Sequence, residues 1–205
     1  MSFFKENRTA GIALIILGVI NLIGALAALV GVFTAKDIIV SAAVSCIGPI
    51  IMAVLYFRFG MSIKNGSISK KIDILAYFVR LAGLESIIVP IFNLWNAWEN
   101  AGGLIAISGL IISIIIGLII LAVSSRINDG KQDTLDKVIW IILVVLFAIS
   151  AIINVWAVIS VFIDGKLTLD LGILDNVILP IVNVIIATFM LCALFDSDVK
   201  REMNM

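Results

Sequence analysis

Residues 73–95 read DILAYFVRLAGLESIIVPIFNLW, the one long apolar run of this chain that carries ionisable side chains inside it. At about 1.5 Å per helical residue, Glu85 lies about 16 Å beyond Ile74, near the middle of a hydrocarbon layer roughly 30 Å thick. Arg80 lies only about 9 Å in by the same rise, so its long side chain can carry the guanidinium back to the headgroups. Glu85 has no such reach. About 140° of helix separates the two, so they do not face each other as i,i+4 partners do. Glu85 therefore either holds its proton or faces other helices or a wet cavity that supplies hydrogen bonds. Pro90 has no N–H to offer the carbonyl of Ser86, which predicts a bend one turn beyond Glu85. A carboxyl beside a loosened turn is the candidate functional spot.

The composition places the rest of the chain in the same setting. Of 205 residues, 62% are hydrophobic and 14% charged, with a mean hydropathy of +1.24. Soluble domains lie near 45–50% apolar and about 25% charged. The excess is surface for the lipid bilayer, the first partner the sequence implies. Lys plus Arg and Asp plus Glu both number 14, and the basic residues are scattered through short loops, which argues against a nucleic-acid partner. There is no histidine, hence neither the commonest general base nor the commonest metal ligand. Cys46 and Cys192 each stand alone in an apolar run, as buried helix cysteines do. No phosphate-binding glycine loop, zinc-protease helix or nucleophile elbow occurs. The expectation is no enzyme, no cofactor and no metal. Asp129, Asp133 and Asp136 alternate with Lys131 and Lys137 and read as a solvated, self-neutralising turn. Asp164, Asp170 and Asp175 lack the ligand spacing of a calcium loop.

Five further apolar runs accompany residues 74–95: 11–33, 38–57, 104–123, 138–163 and 177–195. Each is long enough to cross as a helix. The fold class is all-α, a single polytopic membrane domain over residues 1–205. With the N-terminus inside, the inner segments hold Lys5, Arg8, Arg58, Lys64, Lys70, Lys71, Arg126, Lys131, Lys137, Lys200 and Arg201, eleven in all, against Lys36 and Lys166 outside. Both termini are thus expected in the cytoplasm. Trp95 and Trp98 would anchor the outer interface, and Trp140, Tyr56, Phe57 and Phe59 the inner one.

A repeat runs through the chain at an offset of about 64. It carries Ile63-Lys64-Asn65-Gly66 onto Ile127-Asn128-Asp129-Gly130 and Asn21 onto Glu85, and one residue more carries Glu85 onto Ser150. The six helices then form three tandem hairpins, approximately 9–66, 72–130 and 137–199, all in one orientation. On that reading Asn21, Glu85 and Ser150 converge around a pseudo-threefold axis, either as interhelical glue or as a site for a small solute, ion or proton. Gly24-xxx-Ala28, Ala27-xxx-Gly31, Gly109 and Gly117 permit close helix approach. Pro49 predicts a kink in the second helix, while Pro180 suits the first turn of the last.

The opening of the first span, Arg8 followed by GIALIILGV at 11–19 with glycines seven apart, resembles the HdeD-like acid-resistance membrane proteins, six-helix chains built from repeated hairpins. The resemblance implies a non-enzymatic envelope protein. The reading from sequence is a non-catalytic multi-pass protein of a prokaryotic plasma membrane that acts through helix packing or oligomerisation, with a second copy or another membrane subunit as partner. The alternative is a transporter or channel with a midplane site around Glu85.

Overall fold

A computed structural model describes residues 6–35, 39–100, 103–131, 133–163 and 173–205. Among these residues every regular element is helical, and six stretches are long and apolar enough to cross a membrane. Helix α1 spans Asn7–Thr34. The second stretch is divided into α2, Val40–Ser45, and α3, Ile47–Lys64. Then come α4, Lys71–Asn100; α5, Leu104–Ile127; and α6, Thr134–Ile163. The last opens on a π turn, Leu174–Ile178, runs on as α7, Leu179–Leu194, and is followed by the short α8, Ser197–Glu202. The apolar runs locate these stretches one for one. Several helices extend past them because Lys64, Lys71 and Arg126 are good helix formers that an apolar count excludes.

The prolines act differently in each place. Pro49 gives no N–H to the carbonyl of Ser45, and the helix breaks at Cys46, where Ser45 Oγ turns back onto the Ala42 carbonyl at 2.7 Å. Helix α4 continues through Pro90. The Ser86 carbonyl that Pro90 leaves free accepts a hydrogen bond from Ser113 Oγ of α5 at 3.3 Å. A neighbouring hydroxyl thus replaces the missing backbone donor, as membrane helices require. Pro180 falls in the first turn of α7, as expected.

Neighbours in sequence pair: α1 against α3, α4 against α5, α6 against α7. The first two pairings rest on glycines. A Cβ on Gly60 would lie 2.6 Å from the Gly11 carbonyl oxygen, and one on Gly18 would lie 2.8 Å from that of Ala53. Seven residues are nearly two full turns, so Gly11 and Gly18 share one face of α1 and meet Gly60 and Ala53 at the same spacing on α3. In the second pair, a Cβ on Gly117 would lie 2.8 Å from the Gly83 carbonyl oxygen. Of the small residues expected to permit close approach, Gly117 does so. Gly24, Gly31 and Gly109 face open space, with nothing within 4 Å. The reason is that α1 and α5 make their close contacts elsewhere along their length, at Gly11, Gly18 and Gly117.

The described start of α1 and the C-terminal α8 lie at one end of the bundle, and the tightest packing is there too. Asn7 Nδ2 donates to the Ser69 carbonyl at 2.5 Å, Lys71 is ion-paired with Asp196, and Asn128 Nδ2 donates to Asp73 Oδ1 at 3.3 Å. Fully buried Leu14, Met52, Leu75, Phe189, Met190 and Met203 all belong to this half. The opposite halves of α1 and α6 expose Leu26, Val30, Phe33, Ile153, Trp156 and Phe162. Trp140 departs from its expected place at an interface. It is buried, because Phe195 and α8 fold beneath it: its Nε1 donates to the Leu194 carbonyl at 2.8 Å, and its ring meets Phe195 edge-on at 5.3 Å. Lys5, Lys36, Asp37, Asp164, Lys166, Asp170 and the side chain of Asp175 lie outside what is described.

Candidate functional site: an interhelical tyrosine–carboxyl pair

Glu85 faces α3. Tyr56 donates its hydroxyl hydrogen to Glu85 Oε2 at 2.7 Å. The tyrosine is only 4% exposed, on the face of α3 that also buries Met52, Phe59 and Ile63. That spacing, i, i+4, i+7 and i+11, is the inward stripe of a helix. A buried tyrosine needs a partner for its hydroxyl, and a carboxyl within an apolar helix needs a donor. Each supplies what the other lacks. Glu85 itself is half-buried, and among the described residues no hydrogen bond reaches its Oε1.

Tyr56 was expected as an interfacial anchor, and its burial corrects that. The signal was available: Tyr56 is in phase with the inward apolar stripe of α3, four residues after Met52 and three before Phe59.

The other expected site residues are placed apart from this pair. No hydrogen bond joins Asn21, Glu85 and Ser150 among the described residues. Ser150 instead belongs to a second polar group between α6 and α7: Asn154 Nδ2 donates to the Ser150 carbonyl at 2.8 Å, and Asn183 Nδ2 donates to Asn154 Oδ1 at 3.3 Å. Asn21 is half-buried on α1. Arg80 turns back towards the start of α4, its guanidinium carbon 5.2 Å from the centre of the Tyr77 ring. That is the direction side chains take on a helix, and a cation over an aromatic face is a favourable contact.

The Asp129–Asp136 turn is more ordered than a solvated charge run. Arg126 pairs with Asp133 at 2.6 Å and with Asp129 at 3.5 Å, so the neutralising cation is Arg126 of α5. Asp133 Oδ1 accepts from the backbone N–H of Leu135 at 2.8 Å and of Asp136 at 3.3 Å, while Asp136 Oδ2 accepts from the N–H of Asp133 at 3.0 Å. This is a reciprocal capping box at the start of α6. Asp136 is only 2% exposed, which corrects the expectation of a solvated carboxyl: the box draws it under the helix end. Desolvation pushes the Asp133 carboxyl up, but the N–H groups of Leu135 and Asp136 and the Arg126 guanidinium outweigh it and hold the group below the usual aspartate range.

A lowered folded value means that the cap contributes fully above the unfolded value, about 4, and is lost as pH falls through the folded one. Hydrogen exchange at the Leu135 and Asp136 amides, corrected for intrinsic rates, should therefore rise on acidification while mid-α6 amides stay protected. Asp133→Ala should show that faster exchange at every pH.

No protein-family model, characterised protein or solved structure matches the chain, so the geometry of this pair carries the functional reading by itself.

Proposed function

We propose that this is a non-catalytic multi-pass membrane protein that acts through helix packing and assembly, with Tyr56–Glu85 as the lock between its first two helical hairpins. The observation that carries the reading is the 2.7 Å hydrogen bond between them, which ties α3 to α4 through a buried tyrosine. Both termini are cytoplasmic, as the eleven-to-two distribution of basic residues argues, and the bilayer is taken to be the plasma membrane of a prokaryote. The tandem-hairpin repeat draws support from the glycine crossings. Gly18 and Ala53 of the first pair recur 65 and 64 residues later as Gly83 and Gly117 of the second, the offset at which the sequence repeats. The resemblance of the first span to HdeD-like proteins accords with an envelope role.

The second reading, a solute, ion or proton pathway at Glu85, is favoured by the incomplete burial of that residue and by an Oε1 that no hydrogen bond reaches among the described residues. Glu85→Gln separates the two, because an amide still accepts from Tyr56 but cannot carry charge or exchange a proton. The packing reading expects the variant within about 0.5 kcal/mol of wild type in unfolding. It also expects proton and cation flux through vesicles holding either protein to equal that of empty vesicles. Wild-type flux abolished in a normally folded Glu85→Gln protein would establish the pathway instead. Cysteines placed at the two termini should react with impermeant reagents only from the cytoplasmic side; labelling of either from outside would refute the topology.

A further inference from the structure

Two arginines lie within the membrane-crossing stretches, Arg58 of α3 and Arg80 of α4. Among the described residues neither guanidinium has an ion pair or a side-chain hydrogen bond. They stand at one depth. A Cβ on Gly48 would lie 3.0 Å from Val89 Cα, which fixes the antiparallel register of α3 on α4; ten residues further along each helix, Arg58 comes level with Val79, the neighbour of Arg80. The Phe59 and Tyr77 rings, 5.6 Å apart, keep the same register. The arginines also stand on one side. Helix α1 packs on both α3 and α7, and α7 packs on α4, so α1 and α7 lie together behind the α3–α4 pair. On α3, Arg58 is two residues, or about 160° the short way round, from Gly60, which meets α1. On α4, Tyr77, Arg80 and Leu84 follow at i, i+3 and i+7, a stripe turned away from buried Leu75 and Val79. The outer side of the pair therefore carries Arg58, Tyr77 and Arg80 together, and both Arg58 and Tyr77 are exposed there.

An arginine within a span needs a counter-charge or acceptors for its N–H groups. Arg80 rests on the Tyr77 ring, which takes up one face of the guanidinium and none of its hydrogens. The acids of α4 are engaged elsewhere: Asp73, one turn before Tyr77, accepts from Asn128 Nδ2 at 3.3 Å, and Glu85 accepts from Tyr56. A guanidinium is met best by an oxyanion that takes two parallel N–H bonds. The oxyanion that a bilayer supplies is phosphate, here from the leaflet beside α8 and the start of α1, towards which the Arg80 side chain runs. One phosphate against two guanidiniums leaves positive charge, which the ammonium of a zwitterionic headgroup opposes and an anionic headgroup does not. We infer that Arg58, Tyr77 and Arg80 form a binding site for the headgroup phosphate of one anionic phospholipid. The Tyr77 hydroxyl, which makes no hydrogen bond among the described residues, is the third donor. The inference rests on the membrane reading above. A lipid bound across α3 and α4 holds from outside the pair that Tyr56 and Glu85 join from within.

The test titrates the full chain, in a neutral detergent, with phosphatidylglycerol or with phosphatidylcholine of the same acyl chains, and counts bound lipid by native mass spectrometry. Wild type should prefer phosphatidylglycerol. Arg58→Gln and Arg80→Gln should each weaken its binding by about fivefold, the gain a basic residue makes beside an anionic lipid, and change phosphatidylcholine binding less. Arg80→Lys, which keeps the charge and loses the fork, should fall between Arg80→Gln and wild type. Arg201→Gln removes an equal charge from the exposed end of α8 and should leave the preference intact. Equal affinity of wild type for the two lipids overturns the inference. So does an equal loss from Arg201→Gln, which makes the preference a property of overall charge, and so does displacement of the lipid by inorganic phosphate at the same concentration, which makes the ligand a free anion. If Asp73→Asn abolishes the effect of Arg80→Gln on unfolding without lipid, Asp73 is the partner of Arg80 and the site falls. Flotation with vesicles comes first: protein that does not rise with them overturns the membrane reading together with the site, whereas protein that floats but shows no preference overturns the site alone.

Discussion

Gly60→Val is expected to destabilise the protein by about 3 kcal/mol, at the upper end of what overpacking a well-fitted site costs. A Cβ at that position would lie 2.6 Å from the Gly11 carbonyl oxygen and 2.8 Å from both the backbone nitrogen and Cγ1 of Ile15. Two of those atoms are backbone, so no rotamer change relieves the clash and α1 must move off α3. That movement also opens the crossing of Gly18 with Ala53, two turns away, and loosens the contacts of Leu14, Leu17 and Met52, which belong to one buried cluster. Gly24→Val is the control. It lies on the same helix pair's first member but meets nothing within 4 Å, so its effect should stay within about 0.5 kcal/mol. Equilibrium unfolding of both variants in detergent micelles checks the difference. Equal stabilities would mean that the glycine crossing does not hold the first pair together.

Trp140→Ala is expected to cost about 3–5 kcal/mol, the range for removing a large buried aromatic. The ring is 8% exposed, meets Phe195 edge-on, and lies with Phe195 under the Lys200 ammonium, 5.9 Å and 5.1 Å from the two ring centres. Its loss would leave α8 without the surface on which the chain end folds back. Trp140→Phe keeps most of that surface and removes only the donor to the Leu194 carbonyl, a loss of about 1 kcal/mol. The pair of variants thus separates packing from hydrogen bonding at one position. If Trp140→Phe proves as damaging as Trp140→Ala, the bond to Leu194 rather than the buried ring holds the end of α7.

The span count was legible because apolar length alone decides it: six runs interrupted by charged or small polar loops leave little choice of element. Glycine spacing was legible as a pattern but not as a contact. The Gly11–Gly18 spacing, the part of the first span that resembles a known family, is the face that meets α3. Gly24 and Gly31, equally regular, meet nothing. Helix periodicity says which residues share a face, whereas which face a neighbour takes depends on contacts between distant residues. The same limit explains Glu85. Its depth and its need for a donor followed from the run around it, but its donor sits 29 residues earlier on another helix. Ser150 is met within α6 by Asn154, which in turn accepts from Asn183, so the polar positions that match at an offset of about 64 have different local partners. Pro90 shows the converse: the sequence located the free carbonyl, and the Ser113 hydroxyl that satisfies it came from across the helix pair.

The most direct measurement of the Tyr56–Glu85 lock is a double-mutant cycle on unfolding free energy with Tyr56→Phe, Glu85→Ala and the double variant, in micelles and in bicelles. A carboxyl held by the tyrosine across α3 and α4 predicts a favourable coupling of about 1 kcal/mol, within the range of interhelical hydrogen bonds between membrane helices. A coupling indistinguishable from zero, with the two single effects simply adding, would contradict it and leave Glu85 free for another task.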